Sequence, residues 1–281
     1  MSSFLVVHIV SLHDTLQCLK QWVKVSHQQI LPSSWHGVKM KYGLIVDVET
    51  TGLNAKQDKV IEVGLVEFQI DVGGQHAITS MYSGLEDPKA PIPPLITELT
   101  HLTDDIVRGQ EIDWRLVRKC WERASFVIAH NAEFDRAFLQ SHTVLQDLPK
   151  HWACSLRHID WRSKKFGSQK LNYLAADHGF ANPFAHRAMF DCATTFRLIS
   201  PHLTELIESS YEPEFELTAV GAPFETKDIL KSAGYFWDNE KRAWRIRVGP
   251  RRLNEQREFL ATQVYKGQSR HVEVESFFNA N

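Results

Sequence analysis

Residues Lys41-Tyr-Gly-Leu-Ile-Val-Asp form an apolar run that ends in an acid, and Val48-Glu49 follow at once. A short, continuous apolar run of this kind reads as a buried strand. On a strand, residues i and i+2 point to the same face. Asp47 and Glu49 therefore leave the end of a buried strand with two carboxylates side by side. Two such anions are costly to hold together unless a cation neutralises them, and carboxylate oxygens suit the hard ions Mg²⁺ and Mn²⁺. Taken alone, the pair equally fits a solvated strand end facing the turn at Thr51-Gly52.

Two later segments repeat the theme. Ser125-Phe-Val-Ile-Ala-His reads as another buried strand, after which His130-Asn-Ala-Glu-Phe-Asp135 starts a helix. Asp135 then falls in the first helical turn, where the helix dipole favours an anion. His186-Arg-Ala-Met-Phe-Asp191 follows the loop signal Asn182-Pro183 and leads into a helix through Cys192-Ala-Thr-Thr-Phe-Arg. A loop histidine beside carboxylates suits a general base, because its ordinary pKa near 6.5 leaves it largely neutral and able to accept a proton from water. Each segment by itself also has a bland reading, a helix-start acid or a loop histidine bonded to backbone. Four acids and one histidine, each where a strand meets a loop or a helix begins, are improbable as background.

The remainder of the chain reads as alternating elements. Lys59 to Ile70 and His76 to Ser83 are strands joined by the hairpin signal Asp71-Val-Gly-Gly-Gln; Pro88 to Pro94 is a loop. Ile96–Leu102, Ile112–Arg123, Phe134–His142, Lys170–His178 and a long Met189–Ile207 have helical spacing, and Thr103 caps a short helix start. This order predicts an α/β or α+β layer around a sheet. Near residue 211 the composition changes at Tyr211-Glu-Pro-Glu-Phe-Glu, an acidic hinge. Beyond it we expect a strand at Leu217–Val220, a helix at Thr226–Ala233 closed by Gly234, a hairpin from Tyr235 to Val248 and a last helix from Leu253 to Tyr265. The resulting division is an extension at 1–39, a main domain at 40–208 and a small accessory domain at 209–281. Cys18 to Val25 has the spacing of a short helix, and Met40 stands directly before the first strand, which makes it a candidate natural start.

Bulk properties narrow the class. The net charge of −2 advertises no polyanion partner for the whole molecule, so nucleic-acid binding would rest on local basic patches or metal ions. The four cysteines, 18, 120, 154 and 192, form no CxxC pair and fit free thiols in a reducing cytosol. The apolar run Phe4–Val10 is too short to cross a bilayer. The expected location is cytoplasmic, with no membrane partner.

Asp47-x-Glu49-Thr50, His130-Asn131-x-x-x-Asp135 and His186-x-Ala188-x-x-Asp191 together resemble the three motifs of the DEDDh, or DnaQ-like, 3′→5′ exonuclease family, in order and over roughly residues 41–205. The pattern is similar to the exonuclease domain of polymerase III epsilon subunits and to exonuclease X-like proteins. The resemblance implies a ribonuclease H-like fold with a mixed five-stranded sheet flanked by helices, and beside it a small α+β C-terminal domain. It implies two divalent ions, Mg²⁺ or Mn²⁺, held by Asp47, Glu49, Asp135 and Asp191, with His186 as the base that activates water. The product would be a nucleoside 5′-monophosphate cut from DNA 3′ ends, in repair, end-trimming or proofreading. Thr50 and Thr51 would contact the terminal nucleotide through their amides, Leu53 would wedge against its base, and Asn131 would orient the helix start or the phosphate. His130 would be structural. The substrate partner would be single-stranded DNA or a DNA 3′ end. RNA 3′ ends, or a silent nucleic-acid-binding role, are the alternatives.

The C-terminal part departs from an epsilon subunit. It lacks a recognisable clamp-binding peptide, which puts a polymerase partner in doubt. Phe224 to Arg245 resembles a small module that follows exonuclease domains in some bacterial proteins. Trp237 and Trp244, with Lys241, Arg242, Arg245, Arg247, Arg251 and Arg252, give it either stacking platforms for a single strand or a core flanked by solvated cations.

Overall fold

A computed structural model describes residues 40–71, 74–267 and 272–277. The readings for residues 1–39, including the Cys18–Val25 helix and the start at Met40, lie outside the described residues.

The apolar run becomes β1 (Met40–Thr50), the central strand of a five-stranded sheet. Its neighbours are β2 (Val60–Asp71), antiparallel, and β4 (Phe126–Ala129), parallel. β3 (His76–Leu85) and β5 (Trp152–Cys154) lie outside these, giving the order β3-β2-β1-β4-β5. The mixed sheet agrees with the ribonuclease H-like expectation. β5 is three residues long, too short for a periodic signal, and it exists because Trp152–Cys154 pair in parallel with Val127–Ala129.

Between the strands lie α1 (Pro94–Thr100), α2 (Asp104–Val107), α3 (Trp114–Arg123), α4 (Ala132–Leu139) and α5 (Leu171–Asp177). Thr103 caps α2, its side chain accepting from the Ile106 N–H. The single helix expected from Met189 to Ile207 is two: α6 (Ala188–Ile199) and α7 (Leu203–Ser210), joined by a 3₁₀ turn at Ser200–His202. The break falls at Pro201, which lacks an N–H and clashes with the preceding turn.

Strand alternation divides the core. Leu44 and Val46 face one layer, with Val117, Trp121 and Leu139 of α3 and α4. Ile45 faces the other, with Met189, Cys192 and Phe196 of α6. Asp47 and Glu49 continue the Ile45 side of β1, toward α6.

The C-terminal part forms a second, four-stranded sheet in the order β7-β8-β6-β9, from β6 (Glu214–Ala219), β7 (Phe236–Asp238), β8 (Ala243–Val248) and β9 (Val272–Phe277). α8 (Lys227–Ala233) ends on the left-handed Gly234 as expected. α9 (Pro250–Phe259) runs on into a π turn at Leu260–Val264. β9 has no counterpart among the expected elements; it is the edge strand paired with β6. Trp244 lies in the core of this unit, packed edge-on at 5.6 Å against Trp237, which is half-exposed. Among the described residues no helix is long and apolar enough to cross a membrane.

Candidate active site

Three elements carry the predicted acids to one end of β1. Asp47 and Glu49 come from β1 itself, and Asp191 from the first turn of α6. Carboxylate oxygens of these three residues lie within 4.8 Å of one another. That span is within reach of one hard divalent ion, whose bonds to oxygen are about 2.0–2.6 Å.

A glycine makes this approach possible. Gly64 of β2 is the ladder partner of Asp47. A Cβ built on Gly64 would lie 2.3 Å from the Ala188 carbonyl carbon and 2.4 Å from the Met189 nitrogen. Helix α6 therefore starts in backbone contact with β2, and Asp191 is lowered onto the strand pair next to Asp47.

Asp135 is buried and arrives from the first turns of α4. Its Oδ1 accepts the Val48 N–H at 3.1 Å. β4 pairs with β1 only as far as Ile45, and Asp135 takes over beyond that point. This bond ties α4 to the residue between Asp47 and Glu49. The strand-to-helix turn is set by Asn131, exposed and in the left-handed region at φ 71°, ψ 50°.

The electrostatics are those of a site short of positive charge. Burial, then the charges of Asp135, Asp191, Glu49 and Glu62, push Asp47 well above the ordinary carboxylate range. Burial pushes Glu49 up to about 8, reinforced by Asp191, Glu62 and Asp135. Asp135 is pushed to about 8, burial outweighing the N–H bonds it accepts. Asp191 is pushed to about 7, again chiefly by burial, against bonds from the Arg187 N–H at 3.0 Å and Asn182 Nδ2 at 2.8 Å. Asp47, Glu49 and Asp191 form a donor set that a divalent cation fits, with the Asp135 charge adding to the repulsion: an ion would replace the protons and cancel that repulsion.

The other expected residues fall in different settings. His186 is exposed on the loop before α6, in the left-handed region at φ 60°. Leu53 is 86% exposed at the tip of the β1–β2 turn, free to meet a ligand. Thr50 is buried and its hydroxyl donates to Gly52 O at 2.5 Å. Thr51 departs from expectation: its N–H closes the turn on Lys59 O at 2.9 Å, so that amide is not free for a nucleotide. His130 is structural, bonded to Ser155 Oγ at 2.8 Å and Gln169 O at 2.9 Å, and burial lowers its pKa to about 4.

Sequence reading missed three supporting residues. Glu62, 1% exposed, receives Arg187 through two bonds of 3.0 and 3.2 Å, accepts the Ala188 N–H at 3.2 Å and takes Ser83 Oγ at 3.1 Å. It therefore clamps the start of α6. An acid in the otherwise apolar Val60–Val66 stretch was the available signal. Asn182 and Gly64 had none beyond the turn and the break in side-chain size. Arg187, next to the predicted base, is held by Glu62.

Comparison with known proteins matches this picture. A family model described as Exonuclease covers residues 44–199, more than half of the chain. The chain is similar to DNA polymerase III PolC-type from Clostridium perfringens, 33% identical over 165 residues, which is 56% of this chain and 11% of that protein. It is also similar to DNA polymerase III PolC-type from Bacillus subtilis, 26% identical over 214 residues, covering 65% and 14%. The chain thus spans about a tenth of the length of the curated relatives it matches. Among solved structures, E. coli Exonuclease I in complex with a dT13 oligonucleotide shares the fold, with a TM-score of 0.50 and 14% identity over 63% of this chain and 48% of that one. Exonuclease X in complex with 5′ overhanging duplex DNA aligns over 72% of this chain and 97% of that chain, at a TM-score of 0.44 and 23% identity. The chain belongs to the Exonuclease family, in its DnaQ-like 3′→5′ group.

Proposed function

We propose that this chain is a metal-dependent exonuclease that hydrolyses the terminal phosphodiester at DNA 3′ ends and releases nucleoside 5′-monophosphates. The observation that carries the reading is the convergence of Asp47, Glu49 and Asp191, with Asp135 bonded to the strand between them. Asp47, Glu49, Asp135 and Asp191 would hold two Mg²⁺ or Mn²⁺ ions, which when bound supply charge neutralisation for an in-line displacement at phosphorus. His186, exposed beside Asp191, takes the proton of the attacking water as the new P–O bond forms and the bond to the 3′-oxygen breaks. Leu53, at the exposed turn, packs against the terminal base. Glu62 and Asn182 hold Asp191 and the His186 loop in place. DNA rather than RNA is favoured because the similar proteins are DNA polymerases and Exonuclease I binds a dT13 oligonucleotide.

The test is degradation of 5′-labelled single-stranded DNA and RNA of equal sequence with Mg²⁺, by the full chain and by Asp47→Ala. We expect stepwise shortening of DNA from the 3′ end, and loss of at least about 10³-fold in Asp47→Ala. Activity that survives in Asp47→Ala refutes the site; faster degradation of RNA refutes the substrate assignment.

A further inference from the structure

Most cations of the C-terminal sheet are already neutralised. Arg245 pairs with Asp238 and Glu216. Arg247 reaches Glu216 and Glu133, each at 3.0 Å. Lys241 lies 3.7 Å from Glu216 and 3.6 Å from Glu275. The β7–β8 hairpin is therefore a poor polyanion surface despite its sequence.

The seam between the two sheets is different. It contains a cleft of about 220 Å³ whose walls include Asn131, Arg162, Phe236, Gly249 and Arg252. Five acids line it as well: Glu133 and Glu214 are paired with Arg157, Glu205 with Lys164, and Asp160 and Glu212 complete the set. Arg162 leaves the loop after β5 and its Nη2 donates to Ser232 O at 3.1 Å, so it bridges to α8. It has no carboxylate at ion-pair distance among the described residues. Arg252, on the first turn of α9, has among the described residues a single carboxylate contact, the exposed Glu255 at 3.9 Å. Among the described residues its Nη2 is buried with no hydrogen-bond partner. The two guanidiniums repel each other: burial first and Arg252 second lower the Arg162 pKa, against the smaller opposing pull of Glu255 and Asp160.

Two further features favour an anion. α9 starts at Gly249 with no side-chain cap, and a Cβ at Gly249 would meet nothing within 4 Å, so open space lies before the positive end of a ten-residue helix. Phe236, half-exposed, offers an apolar face beside these charges, the pairing of ring and cation that suits a single strand. At its other end the cleft reaches Asn131, which starts the helix of Asp135; the two are four residues, about 6 Å of helix rise, apart.

We propose that Arg162 and Arg252, with the start of α9, hold a backbone phosphate of the nucleic-acid strand whose 3′ end lies at the Asp47 cluster. This rests on the exonuclease reading above. The second sheet then acts as the far wall of the strand's path, and the seam, rather than the hairpin, contacts it.

The experiment measures steady-state kinetics of the full chain with Mg²⁺ on two substrates. One is a single-stranded oligonucleotide of about 12 nucleotides, within the ~4–16 that one such groove spans. The other is the p-nitrophenyl ester of thymidine 5′-monophosphate, which is too small to reach the seam. Arg162→Gln and Arg252→Gln should each raise KM for the oligonucleotide roughly tenfold, with kcat and ester turnover unchanged. The slope of log KM against log salt should fall by about 0.7 for each phosphate that the variant no longer neutralises. Arg252→Lys should keep that slope.

An oligonucleotide KM within twofold of wild type in the double variant overturns the proposal. So does a parallel fall in ester turnover, which would mark the arginines as structural supports. A thermal shift by millimolar inorganic phosphate that needs Arg252, without any dependence on oligonucleotide length, overturns the strand assignment in favour of a small-anion site. If wild type cleaves neither substrate, the exonuclease reading fails instead. Fluorescence anisotropy of a labelled oligonucleotide then still tests the seam, equal affinity of wild type and Arg252→Gln being the adverse result.

Discussion

Replacing Gly64 by alanine tests how the acids are brought together without touching any of them. The added Cβ would lie 2.3 Å from the Ala188 carbonyl carbon, 2.4 Å from the Met189 nitrogen and 2.5 Å from the Ala188 oxygen, where ordinary contact begins at 3.4 Å. All three obstacles are backbone, so no side-chain rotation relieves them. Helix α6 and β2 must separate by about 1 Å at this point. That displacement carries Asp191 away from Asp47, and a misplacement of about 1 Å in a catalytic constellation costs on the order of 10²-fold in rate. Overpacking of this kind also destabilises by about 1–3 kcal/mol, or roughly 2–10 °C in melting temperature at this chain length. The assays are 3′-end degradation of labelled DNA under saturating Mg²⁺ and thermal melting with and without the ion. Gly64→Ala should lose about 10²-fold in kcat and most of the Mg²⁺-dependent rise in melting temperature. A variant that melts and cuts like wild type would refute the close approach of α6 to β2 as the device that assembles the site.

The remaining predictions concern charge. In the metal-free protein Glu49, Asp135 and Asp191 carry pKa values of about 8, 8 and 7, against ordinary values of 4.5, 3.8 and 3.8. The folded state therefore holds protons that the unfolded chain has released, and stability falls as pH rises from about 4 to about 8. Melting in EDTA should drop by at least about 5 °C across that window, and Mg²⁺ should restore it; a flat profile in EDTA counts against the repulsive cluster. Glu62→Gln removes the charge that Arg187 meets and loosens the start of α6. Breaking a buried pair costs up to about 3–5 kcal/mol, and since Arg187 is 35% exposed we expect about 2 kcal/mol, with a lowered kcat; unchanged melting and turnover would dismiss Glu62 as a clamp. His186→Ala should leave melting within about 1 °C, because the residue is exposed, while lowering kcat by about 10²–10⁴-fold. Full activity in that variant would exclude it as the base.

Much of the fold could be read in advance because it is local. The central strand, the β2–β3 hairpin, the cap at Thr103 and the left-handed stop at Gly234 each follow from a few neighbouring residues. The strands that were missed depended on partners far along the chain. β5 exists only where Val127–Ala129 lie beside it, and β9 only beside β6. The helix over 189–207 looked continuous because its apolar period survives Pro201, although the backbone does not. The hairpin cations looked free because Glu216, which neutralises three of them, sits on another strand.

The same division runs through the site. Sequence alone singled out the candidate residues: carboxylates in pairs, at strand ends and helix starts, with a histidine on a loop, are legible because residue type and spacing set their face and their neighbourhood. Tertiary structure alone decided how they meet. Asp135 bonds to Val48 across 87 positions, Arg187 reaches Glu62 across 125, and α6 rests on Gly64 because that residue has no side chain. These contacts hold side chains whose charges oppose one another, and a cost of that kind can be met only by packing and hydrogen bonds drawn from distant parts of the chain.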